Sequence, residues 1–163
     1  MKYKINENDA KEMVGINPSN IRFIKDPTEK VQLEAVREDG HAIECIRDPT
    51  ERVQLEALRK YGQAIQFIKN PSDEVQLESV RKDGYLIQFI KDPSEEVQIE
   101  AVKENGYAVE CIKEPTEKVQ LEVVRKDGSD IYFIKDPSEK VQLEAVREDG
   151  HAINITSIFS HDF

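Results

Sequence analysis

Asp26-Pro27-Thr28-Glu29-Lys30-Val31-Gln32-Leu33-Glu34-Ala35-Val36-Arg37-Glu38-Asp39-Gly40-His41-Ala42-Ile43-Glu44-Cys45-Ile46-Arg47 is the stretch that decides the fold, because the chain after it is variation on the same 22 residues. Its Pro returns as Pro49, Pro71, Pro93, Pro115 and Pro137, and its Gly as Gly62, Gly84, Gly106, Gly128 and Gly150, without an insertion. A fixed period is the mark of a stacked array whose units bury their apolar faces on one another. The chain divides into six copies, 27–48, 49–70, 71–92, 93–114, 115–136 and 137–158, between a degenerate cap at 1–26 and a tail at 159–163.

Each copy opens with a helix start signal. Asp26 reads as the N-cap, Pro27 as the first helical residue, and Glu29 stands close to a capping box. Asp48, Asn70, Asp92, Glu114 and Asp136 are the equivalent caps, Glu114 being the poor one. The helix is expected to run to about Asp39 and to stop at Gly40, taken as left-handed. Val31, Leu33, Ala35 and Val36 cover an arc of roughly 200° on a helical wheel, wider than one surface stripe, so the helix needs a neighbour on two sides. Inside that arc Gln32, Gln54, Gln76, Gln98, Gln120 and Gln142 form a column of amides, read as a structural ladder bonded to the adjacent copy or its turn. The other face carries Glu34 with Arg37 and its equivalents, three residues apart and able to pair.

The second half of a copy, His41 to Arg47, reads as a short helix with Ala42, Ile43, Cys45 and Ile46 turned inward. It is too short to stand alone in water. The expectation is an all-α fold: a right-handed αα-solenoid of six two-helix repeats with degenerate terminal caps. Residues 1–23 keep Ile21, Phe23 and Ile24 but lose the consensus before them, as a terminal repeat does. Ile158, Phe159 and Phe163 could close the other end.

A net charge of −10 argues against wrapping duplex nucleic acid, which is bound through Lys and Arg, and favours a basic partner. No apolar window is long enough to cross a bilayer and no leader pattern opens the chain, so a cytoplasmic protein is expected. Cys45 and Cys111 share one column three copies apart, too far for a disulfide at roughly 8–10 Å per stacked helix. With Phe67, Phe89, Phe133 and Ile155 in the same column, both read as buried thiols.

The two-helix unit with an Asp-Pro start and a Gly between its helices resembles the HEAT and armadillo solenoids in shortened form. The segments 31–43 and 97–109 are also similar to a helical repeat of unknown function found in bacterial and viral proteins. The resemblance covers about residues 20–155, carries no functional residues across, and implies binding of proteins along an extended surface.

Function should sit where copies differ. The residue after each Gly is His41, Gln63, Tyr85, Tyr107, Ser129 and His151, and three further on stand Glu44, Gln66, Gln88, Glu110, Tyr132 and Asn154. These are expected to form one exposed stripe with Tyr85, Tyr107 and Tyr132 near its middle, suited to contact with another protein. A second candidate is an acidic patch of Glu95, Glu96, Glu100, Glu104 and Glu110. No metal-ligand spacing, phosphate loop or nucleophile motif is present, so no catalytic residue, metal or cofactor is assigned. The leading expectation is a non-catalytic scaffold that binds another protein. The alternatives are an acidic inhibitor that mimics nucleic acid at a basic site of its target, in the manner of a viral antagonist, and a structural spacer. An end-to-end dimer is left open.

Overall fold

The computed structural model describes residues 5–152. It is all-helical there. Seven α-helices, α1 (Glu7–Ile16), α2 (Glu29–Glu38), α3 (Glu51–Lys60), α4 (Asp73–Lys82), α5 (Glu95–Glu104), α6 (Glu117–Lys126) and α7 (Glu139–Glu148), are each followed by a 3₁₀ helix. The 3₁₀ helices are Pro18–Phe23, Gly40–Cys45, Gly62–Phe67, Gly84–Phe89, Gly106–Cys111, Gly128–Phe133 and Gly150–Ala152. The chain falls into two compact units, Met1–Ser79 and Val80–Phe163, the division lying inside α4. In the first, α1 packs on α2 and α2 on α3, with the helix Gly40–Cys45 set against both α2 and α3. In the second, α5 packs on α6 and α6 on α7, and each 3₁₀ helix touches its own long helix, the next one, or both. Helix pairs of about 22 residues packed neighbour to neighbour are an α-solenoid.

The long helices start two residues later than the sequence signal places them. Thr28, Thr50, Ser94, Thr116 and Ser138 are the N-caps, and their hydroxyls accept the N–H of Val31, Val53, Val97, Val119 and Val141 at 3.4–3.5 Å. Asp26, Asp48, Asp92, Glu114 and Asp136 therefore do not cap. The ring of a Pro pushes the residue before it out of the helical region, so the turn must be completed after Pro27 before a helix can begin. Asp26, Asp92 and Asp136 instead take left-handed backbone, φ 51–53°, which a short polar side chain tolerates.

Gly40 is not left-handed as its place after the helix predicts: no glycine among the described residues has a positive φ. The reason for glycine is a close approach. A Cβ on Gly84 would meet the backbone carbonyl of Ala101, one on Gly128 that of Ala145, and one on Gly40 would lie 2.9 Å from the carbonyl of Ala57. In each case the obstacle is the long helix of the following copy.

The second half of a copy is a 3₁₀ helix, which moves the cysteines. Turning about 120° per residue, it separates the edge of Ala42 and Cys45 from the edge of Ile43 and Ile46. Ala42, Ile43 and Ile46 are buried, whereas Cys45 is half-buried and Cys111 exposed. Neither is the buried thiol expected. Both are free.

The amide of each ladder Gln donates to the Pro carbonyl that opens its own copy, at 3.0 Å for Gln32 to Pro27 and 2.9 Å for Gln54 to Pro49. Gln98, Gln120 and Gln142 repeat the bond with Pro93, Pro115 and Pro137. Copies are tied to one another by different groups. Thr50 Oγ1 donates to Glu29 (2.6 Å), Thr116 Oγ1 to Glu95 (2.7 Å) and Ser138 Oγ to Glu117 (2.9 Å), so each cap serves its own helix and grips the one before. Along the outer face Arg37 reaches Glu56 of the next copy at 3.1 Å, and Glu56 also holds Arg59 at 3.3 Å. Glu144 holds Arg125 and Arg147 in the same way. The pairing within one helix expected from spacing is present in Glu56–Arg59, Glu122–Arg125 and Glu144–Arg147.

Gly84→Ala should cost about 1–3 kcal/mol in urea unfolding, the range for forcing extra atoms into a packed contact, while Gly150→Ala, with nothing within 4 Å of the added carbon, should change stability by less than about 1 kcal/mol. Hydrogen bonds from Thr28, Thr116 and Lys140 hold Glu7, Glu95 and Glu117 below the ordinary glutamate value of 4.5, and the His41 and His151 N–H groups hold Asp39 and Asp149 below 3.8. A depressed carboxylate stabilises the fold above its unfolded pKa and loses that contribution as pH falls through the folded one. The thermal midpoint should therefore drop as pH is taken below 4.5 and further below 3.8.

Candidate functional site

The residue that ends a long helix starts the 3₁₀ helix after it. Asp39 accepts the N–H of His41 at 2.9 Å, and Asp83, Asn105, Asp127 and Asp149 do the same for Tyr85, Tyr107, Ser129 and His151. Tyr61 alone makes no such bond. With three residues per turn, the residue after the Gly lies in line with the one three further on. That geometry sets the variable residues on the outer edge.

In the first unit His41, Glu44, Gln63 and Gln66 are all exposed. His41 stacks on Tyr61 at 3.8 Å between ring centroids, its Nδ1 lies 3.0 Å from Asp39, and the Tyr61 hydroxyl donates to Gln63 at 2.9 Å. His41, Tyr61 and Gln63 thus engage one another, while Glu44, Gln66 and Phe23 are exposed.

The second unit differs. Tyr107 (45% exposed) meets Phe133 edge to face at 4.4 Å, and Phe133 meets Tyr132 (70% exposed) edge to face at 5.4 Å. Phe89 is 40% exposed. Tyr85 is half-buried, and its hydroxyl is harder to ionise because of burial and the negative charge of Glu110. Gln88 donates to the Tyr85 carbonyl at 3.1 Å, and Ser129 turns back on Asp127 at 2.7 Å. His151 is exposed, its ring 3.1 Å from Asp149. Asn154 lies outside the described residues, as do Ile155, Ile158, Phe159 and Phe163.

Phe133 of this cluster and Asp130 of the same 3₁₀ helix stand outside the stripe expected from the sequence. Phe133 sits in the column read as core, and only the 3₁₀ geometry turns its ring toward Tyr107 and Tyr132. Asp130 does carry a signal: its column otherwise reads Ala42, Ala64, Leu86, Ala108 and Ala152, all buried. Its carboxylate is half-buried over the Cα of Gly106, and burial, followed by the charge of Asp127, raises its pKa. A carboxylate in an apolar column opposes folding.

The acidic candidates are spread over two surfaces. Glu95, Glu96 and Glu100 line a groove with Ile99, Lys103, Lys118 and Glu122. Glu95 there binds Thr116 and Lys118, and Glu100 binds Arg81. Glu104 is exposed near the end of α5, while Glu110 belongs to the 3₁₀ helix beside Tyr85. Among the described residues no group of three His, Cys, Asp or Glu could hold a metal ion, and no helix is long and apolar enough to cross a membrane.

Asp130→Ala restores the residue of the other copies and should raise stability by about 0.5–2 kcal/mol, the usual gain from such a consensus change. Urea unfolding checks this; a loss of stability would mean that the carboxylate supports the fold.

Comparison with protein-family models, with curated proteins and with solved structures returns no match. What the chain shares with known architecture is the repeated helix–3₁₀ pattern of a solenoid.

Proposed function

We propose that this chain is a non-catalytic protein-binding scaffold of the HEAT and armadillo kind, and that it contacts its partner through the 3₁₀ edge of its second unit. One observation carries the reading: Tyr107, Phe133 and Tyr132 touch edge to face while Tyr107 stays 45% and Tyr132 70% exposed. Such ring pairs add about 0.5–1.5 kcal/mol each beyond the area they bury, which lets them hold one arrangement before a partner arrives. Tyr is also the residue that anchors interfaces at small entropic cost. The unit is about half the length of a HEAT or armadillo repeat, and its 3₁₀ second half presents the variable residues in line. The acidic-mimic reading draws less support, since Glu95 and Glu100 are already paired with Lys118 and Arg81. Two free thiols fit work in the reducing cytoplasm.

Affinity capture from source-cell lysate with the wild-type chain and with Tyr107→Ala/Tyr132→Ala, at low and high salt, tests the proposal. A stoichiometric partner kept by the wild type at both salts and lost by the double variant is expected. A partner retained by the double variant would place recognition elsewhere.

A further inference from the structure

The 3₁₀ helices Gly84–Phe89, Gly106–Cys111 and Gly128–Phe133 and their caps Asp83, Asn105 and Asp127 contain no Lys or Arg. They carry four carboxylates, Asp83, Glu110, Asp127 and Asp130, among Tyr85, Phe89, Tyr107, Tyr132 and Phe133. This contrasts with the long-helix face, where carboxylates such as Glu100 and Glu144 hold arginines of neighbouring copies. Lys126, whose charge partly offsets the raised pKa of Asp130, donates to the carbonyls of Lys103 and Glu104 at 2.6 and 2.5 Å. The lysines that follow each 3₁₀ helix, Lys91, Lys113 and Lys135, stand beyond its C-cap.

An aromatic surface of this kind is not a neutral greasy patch. The face of each ring is negative and attracts a cation placed over it, and the carboxylates around the rings add to the same sign of field. Asp130 sharpens the point, because four other copies place Ala there and folding favours Ala.

Resting on the protein-binding reading above, we infer that the partner presents an arginine-bearing segment, with a guanidinium group seated against Tyr107, Phe133 and Tyr132 and paired with Glu110 and Asp130. Arginine suits the seat better than lysine, since its planar group stacks on a ring and meets a carboxylate with two parallel donors. The directions of titration agree with this seat: Asp130 and Tyr85 are both held toward their protonated forms, by burial first and by neighbouring negative charge second, and a bound cation would relieve both.

The test is fluorescence anisotropy of the full chain with a short labelled peptide of alternating Arg and Ser, beside Lys–Ser and Glu–Ser peptides, at physiological salt. The Arg peptide should bind, the Lys peptide more weakly and the Glu peptide not at all. Tyr107→Ala/Tyr132→Ala should weaken binding about tenfold or more, in keeping with loss of ring–cation contacts. Asp130→Ala, which is not expected to unfold the chain, should weaken it several-fold, whereas Glu139→Ala, with the same change in net charge on the exposed start of α7, should leave it unchanged. Equal losses in Asp130→Ala and Glu139→Ala would mean diffuse attraction to an acidic protein and would overturn the inference. So would absence of Arg-peptide binding. If a lysate partner is lost by the Tyr double variant yet is not displaced by excess Arg peptide, recognition by this edge stands and the cationic ligand falls. If the labelled site is occupied by a second copy of the chain, seen as a dimer that the Tyr variant dissolves, the inference is likewise wrong.

Discussion

The close approach between the glycine turn of one copy and the long helix of the next is the constraint on which each unit depends. Gly84 lies against the carbonyl of Ala101 and Gly128 against that of Ala145, while Gly40 lies beside that of Ala57. Small residues stand on both sides of the contact, since Ala57, Ala101 and Ala145 are completely buried. A Cβ on the glycine would hold the copies apart. At this spacing the cap hydroxyl of one copy falls within reach of the glutamate that opens the helix before it, and Arg37 falls within reach of Glu56. Exposed bonds of that kind contribute only tenths of a kcal/mol each. They follow from the spacing more than they set it.

The same packing separates two surfaces with different freedom. On the long helices, several of the charged side chains are engaged in linking copies, so a change there disturbs two helices at once. On the 3₁₀ edge the first turn is held by the cap from Asp39, Asp83, Asn105, Asp127 or Asp149, and the residues it displays bear little load. Local capping thus frees the displayed positions to differ, and in the first unit they close on themselves through His41, Tyr61 and Gln63. In the second they leave Tyr107 and Tyr132 open. Asp130 lies at the junction of the two demands: it occupies an apolar column and sits over Gly106, on the same 3₁₀ helix as Tyr132 and Phe133. Local rules broken without a gain in stability are where function is sought.

From the chain alone, the period of about 22 residues, the long helices, and the burial of Val31, Ala35, Val36 and Ile43 are all legible. Those features are written in the spacing of apolar residues and in Pro and Gly. The expected caps at Asp26 and its equivalents are displaced because Pro constrains the residue before it, and the serine or threonine after it accepts the N–H of the Val three residues further on. Ser and Thr were there to be read. The stripe residues were legible as variable positions, but nothing in their order distinguishes Tyr107, which touches Phe133, from His41, which touches Tyr61.

What the sequence by itself determined, then, is the repeat and the faces it must bury, because periodicity and hydrophobicity act within each copy. The tertiary structure alone decided why Gly40, Gly84 and Gly128 are required, that the second half of a copy winds as a 3₁₀ helix, that Cys111 lies in the open, and that Phe133 joins Tyr107 and Tyr132. The glycine contacts and the contact of Tyr107 with Phe133 depend on the distance between consecutive copies. No single copy contains that distance, which is set when the Gly turn of one meets the helix carbonyl of the next.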